Sequence, residues 1–323
     1  MKVLFELSGE HPALPCAEIG SVGQVIECAP QVAIAECPDI SATPRLALSH
    51  TVLEYLGQCA ATEEDILAMV SSLNIGSCTS FRVRVKRIQG TSPHLSQLRL
   101  ERLIGSHISG PVSLEQPGEE FRLILSGSRA YLGRVLIHID RGAYLYRDPL
   151  RRSFFHPGVM LPRFARAMVN LSHIRRGELL IDPFCGTGGI LLEAQLIGAC
   201  ICGGDVDPFM VAGARQNIPH ADIVLADATR LPFCDLSADA VVSDLPYGQS
   251  VGIRARDLDS LYTGTLREIY RILKDGHRAV LISHRDIRHL APPFTLLQFH
   301  EQRVHKSLTR RIMVLEKTYR EQR

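Results

Sequence analysis

From residue 179 onward the chain repeats a single unit, a short and almost wholly apolar run followed by a stretch with helical spacing. Leu179-Leu180-Ile181 leads to a helix over 190–197, Cys200-Ile201-Cys202 to a helix over 210–217, and Ile223-Val224-Leu225 follows. Ala240-Val241-Val242 leads to a helix over 261–273, and residues 279–282 supply another apolar run. Strands apolar on both faces are covered on both faces, and their alternation with helices predicts a parallel, doubly wound α/β sheet. Residues 295–299 and 312–315 read as two strands joined by a basic stretch, an antiparallel hairpin finishing that sheet.

The turns that follow these strands hold the polar residues. The first strand runs into Asp182-Pro183-Phe184-Cys185-Gly186-Thr187-Gly188-Gly189 and then a helix. Glycines at such a turn let the backbone approach a ligand closely. A dinucleotide would set its pyrophosphate at the helix N-terminus, where Asp182 repels it. S-adenosylmethionine instead carries an ammonium and a sulfonium, which Asp182 attracts. Asp205 ends the second strand, 19 residues after Gly186, suited to accept from ribose hydroxyls. Asp227, with Ala228 beside it, follows the third strand, suited to accept from the adenine amine. The expected cofactor contacts are therefore Asp182, Phe184, Cys185, Gly186, Thr187, Gly188, Asp205, Asp227 and Ala228. Cys185 has no basic neighbour in sequence to make it a nucleophile.

Asp244-Leu245-Pro246-Tyr247 closes the fourth strand. An exocyclic base amine is a poor nucleophile because its lone pair is delocalised into the ring. The Asp244 carboxylate and the Leu245 carbonyl would accept from the amine hydrogens and draw that lone pair toward a methyl group. Pro246 shapes the turn, and Tyr247 offers a face on which an extruded base stacks. A proline turn at a strand end is common, and only its place behind three cofactor carboxylates gives this one catalytic meaning.

Ahead of the repeat the pattern differs. Residues 1–58 carry short apolar strands around 3–5 and 32–34 with a helix near 15–22, and read as a ferredoxin-like α+β segment. Residues 59–145 open with Thr62, a helix N-cap, before Glu63, Glu64 and Asp65, acids suited to the helix dipole. Phe81-Arg82-Val83-Arg84-Val85-Lys86 alternates strictly, a half-buried strand with cations on its open face. A helix over 94–104 and strands at 121–125 and 135–139 follow. Charge is divided unevenly. Residues 1–60 hold two basic and seven acidic residues, whereas residues 81–152 hold thirteen basic and six acidic, a balance that suggests a polyanionic partner.

The nine cysteines include no Cys-x-x-Cys pair, so no zinc site is expected and buried or reduced cysteines in a cytoplasmic protein are the better reading. No apolar run approaches the roughly 18 residues needed to cross a membrane, and Met1–Glu10 lacks the pattern of a secretory signal.

The tetrapeptide at 244–247 is similar to the Asp-Pro-Pro-Tyr motif of N-methyltransferases. Phe154-Phe155-His156-Pro157-Gly158, the segment Pro162 to Leu171, Gly204-Asp205-Val206-Asp207 and the stretch 264–273 extend the likeness. Their order resembles the archaeal tRNA guanosine N2-methyltransferases and dimethyltransferases that act at position 10, a family with an N-terminal THUMP domain. Residues 80–87 and Leu132-Gly133-Arg134 resemble its THUMP part. The resemblance implies a Rossmann-like methyltransferase domain over 146–323 and a THUMP RNA-binding domain over 59–145. It also implies tRNA as substrate, with Asp182, Asp205 and Asp227 on the cofactor and Asp244 and Tyr247 on the target base. Arg82, Arg84, Lys86, Arg87 and Arg134 are the expected RNA contacts, joined by His138, Arg310 and Arg311. No obligatory protein partner is expected. Leu245 replaces the commoner Pro, which leaves open another acceptor-stem guanosine.

Three alternatives predict different sequences. A DNA adenine N6-methyltransferase would need a long base-recognition insertion, and 250–260 is short. A nucleic-acid-binding protein with a relic methyltransferase fold would not need Asp182, Asp205, Asp227 and Asp244 intact. A nicotinamide oxidoreductase is disfavoured by Asp182.

Overall fold

The computed structural model describes residues 1–88, 96–248, 255–291, 293–306 and 308–318, apart from the side chains of 255–257 and 305. The chain divides into two units, 1–141 and 142–323.

In the first unit the strands are β1 (Lys2–Leu7), β2 (Gln24–Ala29), β3 (Val32–Glu36), β4 (Ser49–Ala60), β5 (Phe81–Arg87), β6 (Glu119–Ser126) and β7 (Arg129–His138). They form one sheet in the order β2-β3-β1-β4-β7-β6-β5, antiparallel except for the β5–β6 pair. Helices α1 (Leu14–Ile19), α2 (Glu63–Ser72) and α3 (Gln97–Gly105) accompany it. α3 overlaps the expected helical stretch 94–104, whose beginning at His94 lies outside the described residues. Thr62 caps α2, its hydroxyl accepting from Asp65 N at 3.1 Å. Ile66 and Val70 of α2 and Leu100 and Ile104 of α3 bury against Phe81, Phe121 and Leu123. This is the apolar face that the alternation of β5 calls for. The 58/59 boundary read from the sequence falls inside β4.

Cys16 of α1 and Cys28 of β2 form a disulfide, with Cα atoms 6.4 Å apart, which corrects for this pair the expectation of buried or reduced cysteines. The two residues face each other because α1 packs on β2, a proximity that spacing in sequence does not reveal. The other seven cysteines are free.

The second unit carries β8 (Leu179–Asp182), β9 (Cys200–Asp205), β10 (Asp222–Leu225), β11 (Ala238–Asp244), β12 (Leu273–Ser283), β13 (Thr295–His305) and β14 (Leu308–Glu316). Their order is β10-β9-β8-β11-β12-β14-β13. The first five are parallel, and β14 and β13 add the expected hairpin antiparallel to β12. Helices α4 (Ala143–Tyr146), α5 (Pro162–Leu171), α6 (Gly189–Leu196), α7 (Pro208–Asn217) and α8 (Ala255–Ile272) connect and cover it. α8 lays Tyr262, Leu266, Ile269 and Ile272 on Val241, Ala279, Leu281 and Met313. Among the described residues no helix is long and apolar enough to cross a membrane.

Candidate active site

The strand order reverses between the neighbours β8 and β11, and at such a point the chain leaves the sheet toward opposite sides and opens a crevice at the carboxyl edge. Asp182, Asp205 and Asp244 are the last residues of β8, β9 and β11, so the topology brings three of the four expected carboxylates to that edge. β14 runs antiparallel to β12 with Arg311 opposite Ser283, which returns Arg310 and Arg311 to the same edge.

Asp182 is buried, 1% exposed, and its Oδ1 accepts from Ser243 Oγ at 2.5 Å and from Phe184 N at 3.1 Å. Burial pushes its pKa up to about 7, although those two hydrogen bonds favour the carboxylate. Asp205 Oδ2 accepts from Gly186 N at 2.9 Å, which ties the glycine turn to β9, and its Oδ1 accepts from Asp207 N at 3.0 Å. Burial raises the pKa of Asp205 as well.

Gly186 and Gly188 have φ of 51° and 82°, the left-handed region that favours glycine. A Cβ on Gly188 would stand 2.7 Å from Ile218 Cδ1. Asn217 Nδ2 donates to Thr187 O at 2.9 Å and Phe184 packs on the α8 core, so the turn is held from two sides. The Cys185 thiol is buried and its pKa raised by that burial and by the nearby Asp182 and Asp205, the opposite of an activated nucleophile. Asp227 is exposed, its Oδ1 accepting from Thr229 N and Thr229 Oγ1 at 2.8 Å each, with Ala228 buried behind it.

At the end of β11, Tyr247 Oη donates to Asp244 Oδ1 at 2.8 Å. Arg310 Nε lies 3.3 Å from Tyr247 Oη and its Nη2 4.0 Å from Asp244 Oδ2. Burial pushes the Asp244 pKa up to about 6, with Arg310 and Tyr247 pulling it down. Tyr262 Oη donates to Pro246 O at 2.5 Å and Leu245 N donates to Ile282 O at 2.8 Å, fixing the turn from α8 and β12. The His284 ring stands 5.1 Å from that of Tyr247, tilted by 47°. Sequence reading missed Ser243, Tyr262 and His284, and it set Arg310 on an RNA surface. The structure corrects that last assignment, since the Arg310 side chain is only 12% exposed and packs in this site. Arg311 donates to His284 O at 2.5 Å and to Glu301 at 2.9 Å. A polar residue in the apolar run 240–243 was the available signal for Ser243; nothing local marked the others.

In the first unit the cations read from the sequence are mostly tied to carboxylates. Arg82 pairs with Glu120 at 2.5 Å, Lys86 with Glu6 at 3.6 Å, and Arg134 with Glu54 and Glu119 at 2.6 and 2.9 Å. Arg122 bridges Glu6 and Glu120 in the same network, and His138 Nε2 lies 3.8 Å from Glu120. Glu6, Glu10 and Glu54 come from the acidic first segment, so part of the charge asymmetry is internal pairing within the first unit. Arg84 is exposed and Arg87 half-buried.

A doubly wound sheet with a glycine turn and carboxylates at successive strand ends defines a nucleotide-cofactor domain of the methyltransferase type. The family described as UPF0020, RMKL-like, methyltransferase domain, matches residues 149–312. A tRNA (guanine(10)-N2)-dimethyltransferase of Methanothermobacter thermautotrophicus is 34% identical across 98% of this chain and 100% of its own length. A tRNA (guanine(6)-N2)-methyltransferase of Thermus thermophilus is 27% identical across 84% of this chain and 85% of its own. The crystal structure of TrmN from Thermus thermophilus has the same fold, with a TM-score of 0.54 and 24% identity over 98% of this chain and 100% of that one. The chain belongs to the UPF0020 methyltransferase family and, within it, to the family of the Methanothermobacter relative.

Proposed function

We propose that this chain transfers one or two methyl groups from S-adenosyl-L-methionine to the exocyclic N2 of a tRNA guanosine, at position 10. The observation that carries the reading is Asp244 on the strand beside Asp182, in a chain similar over nearly its whole length to a tRNA (guanine(10)-N2)-dimethyltransferase.

The residues fit that cofactor. Asp182 is a buried carboxylate with no lysine or arginine paired to it among the described residues, as a site for a cationic ligand requires. Bound S-adenosylmethionine supplies an electrophilic methyl group on a sulfonium. Asp182 offers charge to its cationic end, Asp205 accepts from the ribose, and Asp227 with Ala228 meets the adenine. Phe184, Cys185, Gly186, Thr187 and Gly188 line the turn against which it lies.

Asp244 and the Leu245 carbonyl accept from the hydrogens of N2 and hold its lone pair in line. The Pro246 carbonyl accepts from Tyr262, a bond that fixes the turn carrying the Leu245 carbonyl. Tyr247 offers its ring to the extruded base. With a pKa near 6, Asp244 is ionised at neutral pH and able to take the amine proton after the methyl arrives. N2-methylguanosine keeps one N–H, so one of the two acceptors can still hold the amine in a second transfer, with Asp244 again taking the proton.

Residues 59–145 are proposed as a THUMP RNA-binding domain. Arg82, Arg84, Lys86, Arg87 and Arg134 would face the RNA backbone, with Arg82, Lys86 and Arg134 held in place by neighbouring carboxylates.

Incubation with cofactor and unmodified tRNA, followed by nucleoside mass spectrometry and site mapping, tests the reading. N2-methylated guanosine at position 10 is expected. Modification at position 6 would move the assignment to the function of the Thermus relative. Methylated adenosine, or no product when cofactor binding is demonstrated, would overturn it.

A further inference from the structure

β13 and β14 continue past the carboxyl edge of their sheet. Asp244 lies opposite Ile282 of β12, and Ile282 opposite Ile312 of β14, so these three residues share one level. β12 ends at Ser283, opposite Arg311. The β13–β14 pairing runs on through Arg310, Thr309 and Leu308, opposite Gln302, Arg303 and His305. At about 3.3 Å per residue this overhang rises roughly 10–13 Å above the level of Asp244. Arg310 shows that the hairpin reaches the site, since it springs from the overhang and its guanidinium still comes within 4.0 Å of the Asp244 carboxylate.

Charge along the overhang is unbalanced. Residues 283–311 hold six lysines or arginines and two acids. Lower down, the cations have acids beside them: Arg285 pairs with Asp259 at 3.2 Å, Arg288 with Asp286 at 2.6 Å and Arg311 with Glu301 at 2.9 Å. Arg303 and Lys306 at the tip are exposed and have no ion pair among the described residues. Two such cations raised on a hydrogen-bonded ladder give a fixed positive potential beside the site.

A guanosine methylated at N2 has to leave its stack. Its base then enters the site, while its ribose and the phosphates on either side stay at the rim. We propose that the tip of the β13–β14 hairpin is an RNA-binding arm of the second unit, in which Arg303 and Lys306 hold phosphates flanking the extruded guanosine. The proposal rests on the chain being a tRNA guanosine N2-methyltransferase, and it places part of the RNA grip beside the chemistry and apart from the cations of β5. β13 is also the edge strand of its sheet, where cations deter pairing with another chain. That role alone requires nothing of RNA.

The double variant R303Q/K306Q, compared with wild type on unmodified tRNA, separates the two. Filter binding across a salt series is expected to show affinity about 3- to 10-fold weaker. The slope of log affinity against log salt should fall by about 1.4–1.8, the value for two phosphate contacts. Phosphate-ethylation interference should be seen next to the modified guanosine in wild type and lost there in the variant. Cofactor affinity and the unfolding midpoint should not change. Should the double variant not fold, R303Q and K306Q singly are each expected to give about half the change in slope. Wild-type affinity, slope and interference in the variants would overturn the proposal and leave edge protection as the role of the two cations. Interference lost only at phosphates remote from the modified guanosine would overturn it too. Wild type that methylates no tRNA guanosine would instead sink the reading on which the proposal rests.

Discussion

The guanidinium of Arg310 lies 4.0 Å from the carboxylate of Asp244, although the two residues come from antiparallel strands and 66 positions separate them in sequence. Arg310 opposes the effect of burial, which by itself raises the Asp244 pKa. A neighbouring cation at this range lowers a carboxyl pKa by about 1–3 units. R310Q is therefore expected to move the acid limb of the turnover profile upward by about one pH unit. The direction follows from the role of the ionised form: activity falls as pH drops through the Asp244 pKa, near 6, and the fall begins at higher pH without Arg310. An acid limb that stays in place in R310Q would show that the pair is not coupled.

Asp244 itself is separable from cofactor binding. Its carboxylate bonds to Tyr247, while the glycine turn is anchored by Asp205. D244A is expected to keep cofactor affinity within a few-fold and to lose turnover by about 10²–10⁴-fold. Single-turnover kinetics alongside calorimetry reads both quantities. Wild-type turnover in D244A would remove the carboxylate from the chemistry.

What was legible in the sequence was whatever a single strand and its following turn encode. Asp182, Asp205 and Asp244 end apolar runs, and parallel strands put their ends on one edge. Arg310 was not legible, because its place depends on the return of β14 along β12 with Arg311 opposite Ser283. The acidic first segment and basic middle segment stood apart in sequence, and Glu6 meets Arg122 only once β1, β4, β7 and β6 share a sheet. Ser243 and Tyr262 support the site from β11 and α8, and supporting residues carry no motif of their own.

The raised pKa of Asp182 gives cofactor affinity a pH dependence. The free protein holds a proton on Asp182 below about pH 7, and a cationic ligand binds the ionised form. Affinity should therefore rise as pH rises through 7 and level off above it, with proton release on binding below that point. Calorimetry in buffers of different ionisation enthalpy measures the released proton. D182N should bind more weakly and show no such dependence; a pH-dependent affinity that persists in D182N would assign the proton to another group.

The two left-handed glycines of the turn should respond differently to alanine. Both substitutions carry the backbone penalty of a left-handed non-glycine residue, about 1–3 kcal/mol. Gly188→Ala adds a collision with Ile218, while nothing lies within 4 Å of a Cβ at Gly186. G188A should therefore be the less stable of the two in denaturant unfolding. Equal midpoints would mean that Ile218 moves aside without cost.

R84A should affect RNA binding alone, whereas R134A should affect both RNA binding and stability. Arg84 is exposed and makes no ion pair among the described residues, whereas Arg134 joins Glu54 of β4 to Glu119 of β6. R84A should leave unfolding unchanged and weaken tRNA binding. It should also reduce the slope of log affinity against log salt by roughly 0.7–0.9, the value for one phosphate contact. R134A should lower stability, by less than about 1 kcal/mol per exposed pair, because both pairs are open to solvent. Filter-binding titrations across a salt series, with unfolding curves of the same variants, give both readings. An R84A protein with wild-type affinity and salt slope would move the RNA backbone away from the exposed edge of β5.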